Sequence, residues 1–236
     1  MLNKNPDQES KSVFFAAFRY SIPVLLGYLA IGTAFGLLVT GAGYPVWLAL
    51  FMSLWMYAGA GQYIAVGLFT GGAFLPEACL IQLVVNARHI AYGFSMLNRF
   101  PEKNRPYFIF SMTDETFALL SSLPSGSNGK DRDRFMLYVS VLDQCYWAGG
   151  SLIGAMAGSL LPFSMEGIGF ALTALFIVLF LEQVFRVKKP GVFLISGAAA
   201  LLTIWFFPER ISLLGGMALA LIGSFLAEKF FLQGRK

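Results

Sequence analysis

Stretches of apolar residues long enough to cross a bilayer recur along the whole of this chain, and they leave few folds open. A helix needs roughly 20 such residues to span the hydrocarbon layer. Candidate stretches run over residues 21–40, 47–69, 74–97 and 107–123. After the polar loop PSGSNGKDRDR four more follow, over 135–161, 167–185, 191–207 and 211–231. Of the 236 residues 57% are hydrophobic and 13% charged, with a mean hydropathy of +0.67. A water-soluble domain carries about twice that charge. A membrane barrel would alternate with a period of two, and runs such as 171–181 do not. The expectation is an all-α, polytopic transmembrane helix bundle of about 7–8 spans in a lipid bilayer.

The polar stretches divide the chain. A polar tail over 1–19 precedes a first membrane half, 20–123. A linker, 124–134, leads to a second half, 135–231, and a short tail, 232–236. The polar tail lacks the short apolar core and cleavage site of a secretory signal, so the first span is expected to stay as an anchor. The net charge is +4 and most basic residues fall in loops and tails, the cytoplasmic bias of membrane proteins. No basic helix face alternates with aromatics, so nucleic acid is not an expected partner. Cys79 and Cys145 lie in apolar segments and do not suggest a secreted disulfide framework.

Positive charge leaves one conflict in sidedness. Lys4, Lys11 and Arg19 favour an inside N-terminus, and Lys188, Lys189, Arg235, Lys236 and the 130–134 loop favour the inside too. Eight spans then place the basic loop 99–105 outside, against the rule. If 107–123 only re-enters, that loop moves inside, the chain has seven spans, and the N-terminus must lie outside.

An internal echo accompanies this pattern. Gly27, Gly32 and Gly36 reappear as Gly149, Gly154 and Gly158, Ile31 as Ile153 and Leu38 as Leu160, and Gln62 is matched by Gln183. One reading is an internal two-fold repeat with broken helices, as in secondary transporters, whose sites lie where repeats meet. An odd span count per half would make it inverted and an even count parallel. The plainer reading is that glycine lets membrane helices approach closely.

Polar residues inside apolar spans mark the candidate site, because an ionisable group at membrane depth costs at least a few kcal/mol unless it meets a partner or water. The stretch NARHIAYG, 86–93, holds the only histidine. On a helix Gln82, Asn86, His89 and Gly93 share one face, and Arg88, Tyr92 and Ser95 another. The alternative is that Arg88 snorkels to the membrane surface. In SMTDETFALLSS, 111–122, Asp114 and Glu115 are counter-charges for Arg88 or for a substrate ammonium. They also suit the first turn of a helix, where the dipole favours carboxylates; a half-helix starting at Thr113 inside a cavity would serve both. In YAGAGQYIAV, 57–66, Gly59 and Gly61 weaken the helix and free backbone groups, and Gln62 adds an amide; close helix packing is the alternative. Asp143, Gln144 and Trp147 sit near the start of the fifth span, in the pathway or at an interface. Glu182 is expected to pair with Arg186. There is no G-x-x-x-x-G-K-[ST] loop, no G-x-S-x-G and no H-E-x-x-H. One histidine and two separated cysteines give no transition-metal cluster, so neither a metal nor another cofactor is expected.

The glycine-rich first span with Pro23, then YAGAGQ, NARHIAYG and TDETFALL in that order, resemble the AzlC-type branched-chain amino acid exporter family, closely over 14–123 and loosely beyond. The resemblance implies an inner-membrane permease, not an enzyme, exporting leucine, isoleucine, valine and related substrates such as methionine. It also implies an ion gradient as the driving force and a small hydrophobic AzlD-like subunit as partner. The matching positions are Gln62, Asn86, Arg88, His89, Asp114 and Glu115. On that reading Arg88 or the amides near Gly59 and Gly61 meet a substrate carboxylate, Asp114 or Glu115 its ammonium, and His89, Asp114 and Glu115 are the proton-coupling candidates. Gln82, Tyr92, Asp143 and Trp147 are weaker candidates for the same site. A passive channel or facilitator, and a non-transporting membrane enzyme or scaffold, are the rival classes.

Overall fold

The computed structural model describes residues 6–123, 129–160, 177, 180–181, 184–185, 190–206, 215–216, 218–220 and 222–225. Among them all regular structure is helical: α1 (Pro6–Gly41), α2 (Val46–Trp55), α3 (Gly59–Thr70), α4 (Leu75–Met96), α5 (Arg105–Phe110), α6 (Asp114–Ser121), α7 (Lys130–Leu160) and α8 (Pro190–Phe206). The chain packs as two units, Met1–Ala171 and Leu172–Lys236. Glu182, Gln183, Arg186, Lys188, Lys189 and both tails' basic residues Lys4, Arg235 and Lys236 lie outside the described residues.

In the described residues one helix is both long and apolar enough to cross a bilayer, Ser10–Gly41; Val46–Trp55 and Gly191–Phe206 are apolar but shorter. Helices α4 and α7, of 22 and 31 residues, have the length, about 33 and 46 Å at 1.5 Å per residue. Their polar side chains lower their hydropathy: Gln82, Asn86, Arg88 and His89 in α4, and the charged first turns of α7.

Helices α1 and α7 form the spine of the first unit and run side by side in the same direction. Ser10 meets Tyr138, Ser21 meets Tyr146, and Thr40 meets Gly158. Their backbones touch because side chains are missing at the seam. A methyl group on Gly36 would strike the Ser151 carbonyl, one on Gly154 the Thr33 carbonyl, and one on Gly158 the Thr40 hydroxyl. One on Gly32 would lie 3.0 Å from the Trp147 carbonyl. Four of the six echoed glycines therefore serve close packing, while Gly27 and Gly149 face open space.

The expected second span, 47–69, is not a straight crossing. A continuous helix would separate Tyr44 from Phe69 by roughly 37 Å, yet their ring centroids are 6.1 Å apart. Helix α2 descends, breaks at 56–58, and α3 returns to the end where it began. Residues 107–123 do the same from the other end. Arg99, just after α4, donates to the carbonyls of Ser121 and Leu123 at 3.1 and 2.6 Å. Phe108 of α5 and Leu120 of α6 bury in one apolar cluster with Ala17, Met96, Phe100, Met112, Met136 and Val139. Thus α1, α4 and α7 run the length of the unit, and two hairpins, α2–α3 and α5–α6, enter from opposite ends and stop at mid-depth. Lys11, Arg19, Arg99, Lys103, Arg105, Arg132 and Arg134 all belong to the end where α1 starts, and residues 20–87 contain no lysine or arginine.

In the second unit α8 is paired with returning helical residues. Gly216 packs on Thr203 and Ala200, and Gly223 on Ile195. Thr203 folds its hydroxyl back onto the Ala199 and Ala200 carbonyls.

Candidate functional site

The two hairpin tips face one another across Tyr28 and Trp147. At the first tip Tyr57 adopts a φ of +38°, the left-handed region that bulky residues rarely occupy, and this turns the chain between α2 and α3. Gly59 and Gly61 start α3. A methyl on Gly59 would lie 3.1 Å from the Trp147 ring, and one on Gly61 2.8 Å from the Asn86 amide. The break strands carbonyls at the end of α2 that a bilayer cannot satisfy, and Gln144 donates to one of them, Leu54 O, at 3.1 Å; Gln82 donates to Gly61 O in the first turn of α3 at 2.8 Å. Asn86 in turn donates to Gln82 at 2.9 Å. Gln62 is fully buried and engaged at both ends. It accepts from Trp147 Nε1 at 2.8 Å and donates to Ser53 at 3.3 Å, and Ser53 donates to Ser151 at 2.8 Å.

At the second tip Thr113 caps α6, its hydroxyl accepting from the Thr116 amide. Asp114 and Glu115 occupy the first turn, where the dipole favours negative charge. Asp114 pairs with Arg88 at 2.7 Å and accepts from the Tyr92 hydroxyl at 2.6 Å. Glu115 accepts from the Tyr28 hydroxyl at 2.8 Å, which also lies 2.6 Å from Thr113 Oγ1. Thr116 donates to Asp143 at 2.9 Å.

The faces expected for α4 are met in part, since His89, grouped with Gln82 and Asn86, leans on Tyr92 of the other face. Gln82 and Asn86 turn to Gly61, Gly93 is buried beside Ile109, and Arg88 and Tyr92 reach Asp114 together. His89 is half-buried with its ring tilted against Tyr92, centroids 6.1 Å apart. Arg88 does not snorkel away from the protein; its side chain is 36% exposed and that of Asp114 18%. Of the two readings open for Asp143, pathway or interface, its burial favours the first. Helix α7 begins at Lys130, several residues before the apolar run, so Asp143 falls deep inside it and is fully buried.

Several participants escape a reading by charge. Tyr28 joins both tips, stacking edge-on against Trp147 at 5.3 Å while bonding Glu115. Tyr57, Ser53, Ser151 and Thr116 complete the polar layer. Neutral hydroxyls in apolar runs carry no cost large enough to flag them; the only signal is that buried tyrosines find partners. The layer therefore contains one charge pair, several amides and aromatic rings.

Residues 23–161 match the AzlC protein family. The chain is 38% identical over 192 residues to the branched-chain amino acid transport protein AzlC of Bacillus subtilis, covering 78% of this chain and 75% of that one. It is 44% identical over 177 residues to a membrane protein of Helicobacter pylori, covering 74% and 77%. With the inner membrane protein YgaZ of Escherichia coli it shares 28% over 214 residues, 87% of each chain. No solved structure matches it. The protein resides in the cell membrane, as the names of these relatives and its own apolar helices agree.

Proposed function

Because the chain belongs to the AzlC family, we propose that it is a secondary transporter exporting branched-chain or related hydrophobic amino acids, the large subunit of a two-component exporter. The observation that carries this is the meeting of two broken helices at mid-depth beside the Arg88–Asp114 pair. Half-helix ends inside a membrane supply fixed partial charges to a small zwitterion. The amides opening α3 near Gly59 and Gly61, with Arg88, suit the substrate carboxylate. Asp114 and Glu115 suit its ammonium.

The hairpins also relieve the conflict in sidedness. With α1, α4 and α7 as crossings and both hairpins re-entrant, loop 99–105, the 130–134 loop and the N-terminus share the cytoplasmic side. On this reading the first half holds two crossings, α1 and α4, in place of the four expected over 21–123. The exposed apolar face of α4, with Leu83, Ile90 and Phe94, suits lipid and an AzlD-like helix.

Inverted membrane vesicles test the transport reading. Radiolabelled leucine, valine and methionine should accumulate when a proton gradient is imposed. Flux at an unchanged rate after the gradient collapses would mean a passive channel; no flux at all would remove transport altogether. Mass measurement of the gently solubilised protein should find a hetero-complex, and a fully active monomer would contradict the partner.

A further inference from the structure

Asp143 lies on α7 beside the acidic tip and has no counter-charge among the described residues. Asp114 has Arg88 and Glu115 has a tyrosine hydroxyl. Asp143 is fully buried, Oδ2 accepts one hydrogen bond from Thr116, and Oδ1 is buried with no partner. Its surroundings are known from each neighbouring element. Helix α6 presents Thr116 and Glu115; the α2–α3 tip presents Tyr57; α5 presents Tyr107; its own helix presents Tyr146, Cys145 and Ser140. Tyr28 of α1 stands behind Glu115 and Tyr57. No lysine, arginine or histidine is among these groups. The Tyr57 hydroxyl and Ser140 Oγ are also buried without completing a hydrogen bond.

An ionised carboxylate here would be a full charge removed from water with no cation to meet it, a cost of several kcal/mol. The nearby Glu115 adds repulsion. A neutral carboxylic acid costs far less, and it supplies a donor where unpartnered oxygens are gathered. Asp143 also bonds the acidic tip, through Thr116 of α6, and lies within electrostatic reach of Tyr57 at the first tip.

We propose that Asp143 is the proton-carrying residue that couples transport to the proton gradient. This rests on the transporter reading and deepens it. The O–H bond on the carboxyl forms with a proton from water on one face and breaks to water on the other; nothing is oxidised or reduced. The neutral acid lets the α5–α6 tip close against the first. The ionised acid draws in water and holds that tip away. The Arg88–Asp114 pair is left to the substrate.

Liposomes containing the purified protein, with any subunit that co-purifies, separate the possibilities. Wild type should exchange labelled leucine in counterflow and accumulate it against a gradient when a proton gradient is imposed. Asp143→Asn should keep counterflow within about threefold of wild type and lose driven accumulation by about tenfold or more. Accumulation by Asp143→Asn equal to wild type, with wild type active, would overturn the assignment and leave the transport reading intact. Accumulation driven by a sodium gradient and indifferent to protons would overturn it too. Wild type without any flux would sink both. If Asp143→Asn does not fold, infrared spectroscopy of the wild type decides. A protonated-carboxyl band at neutral pH that shifts when aspartate is isotopically labelled supports the proposal, since Asp143 is the one fully buried aspartate among the described residues. Absence of that band overturns it.

Discussion

The two hairpins have the same course and opposite chemistry. The tip of α2–α3 is neutral, built from Tyr57, Ala58 and two glycines, and is held by amides: Gln62 to Trp147 and Ser53, Gln82 to Gly61, and Gln144 to Leu54. The tip of α5–α6 is acidic and is held by groups that can change charge or partner: Arg88 to Asp114, Tyr28 to Glu115, Thr116 to Asp143. Neutral hydrogen bonds are modest and hold whatever the solute does, whereas charge-assisted ones are stronger and exchangeable for a charged ligand. The comparison assigns a fixed role to the first hairpin and a responsive one to the second.

Breaking the acidic side should do the most damage. Arg88→Ala leaves Asp114 with Tyr92 alone. Stranding one partner of a buried pair costs about 3–5 kcal/mol, and less here because Arg88 is partly exposed. Export and membrane yield should both fall, by roughly tenfold or more in export. Removing Arg88 and Asp114 together should restore yield beyond the sum of the single changes, as a double-mutant cycle would show. Arg88→Lys keeps charge but not the planar two-bond grip, and it too should impair export; normal export would reduce Arg88 to an anchor.

Asp114→Asn is expected to lower export about tenfold at unchanged protein level, scored by transport against immunoblot. Near-normal export would leave Asp114 as a helix-capping charge and erase the functional contrast between the hairpins.

Gly61→Ala probes the neutral side. The added methyl meets Gln82 and Asn86, whereas the same change at Gly67 in the same helix meets nothing within 4 Å. Overpacking of this sort costs about 1–3 kcal/mol, so thermal unfolding in detergent should drop for Gly61→Ala and not for Gly67→Ala. Equal melting temperatures would mean that the first hairpin is not fixed as described. The smallest effect is expected of Tyr28→Phe, which removes one donor from Glu115. A loss of about 1 kcal/mol in stability should accompany a measurable change in export, and a stability loss without one would make Tyr28 a structural strap.

That Arg88 can pair with one of the two acids, Asp114 or Glu115, is legible in the sequence because burying a charge alone is costly; which of the two it meets is not. The start of α6 at Asp114 is legible because Thr113 is a cap followed by two acids. The course of the first hairpin is not. Residues 47–69 are apolar throughout, and hydropathy measures length without direction; Gly59 and Gly61 signal a break but not its angle. The depth of Asp143 stays open between pathway and interface by the same logic, since counting from the apolar start at Phe135 omits the turns that α7 makes from Lys130. Tyr28 is invisible beforehand because a tyrosine among leucines and glycines carries no electrostatic signature.

The difference in hydropathy between α1 and α4 bears on biogenesis. A nascent segment leaves the insertion machinery for lipid by its own hydrophobicity, and arginine at a helix centre opposes that by about 3 kcal/mol. Helix α1 satisfies this requirement alone; α4, carrying Arg88 and His89, does not. The α2–α3 hairpin reaches only mid-depth and has no place to settle until Trp147 arrives on α7 to receive Gln62. The contacts that seat this hairpin therefore form only after α7 has been synthesised and has packed on α1 along the glycine seam.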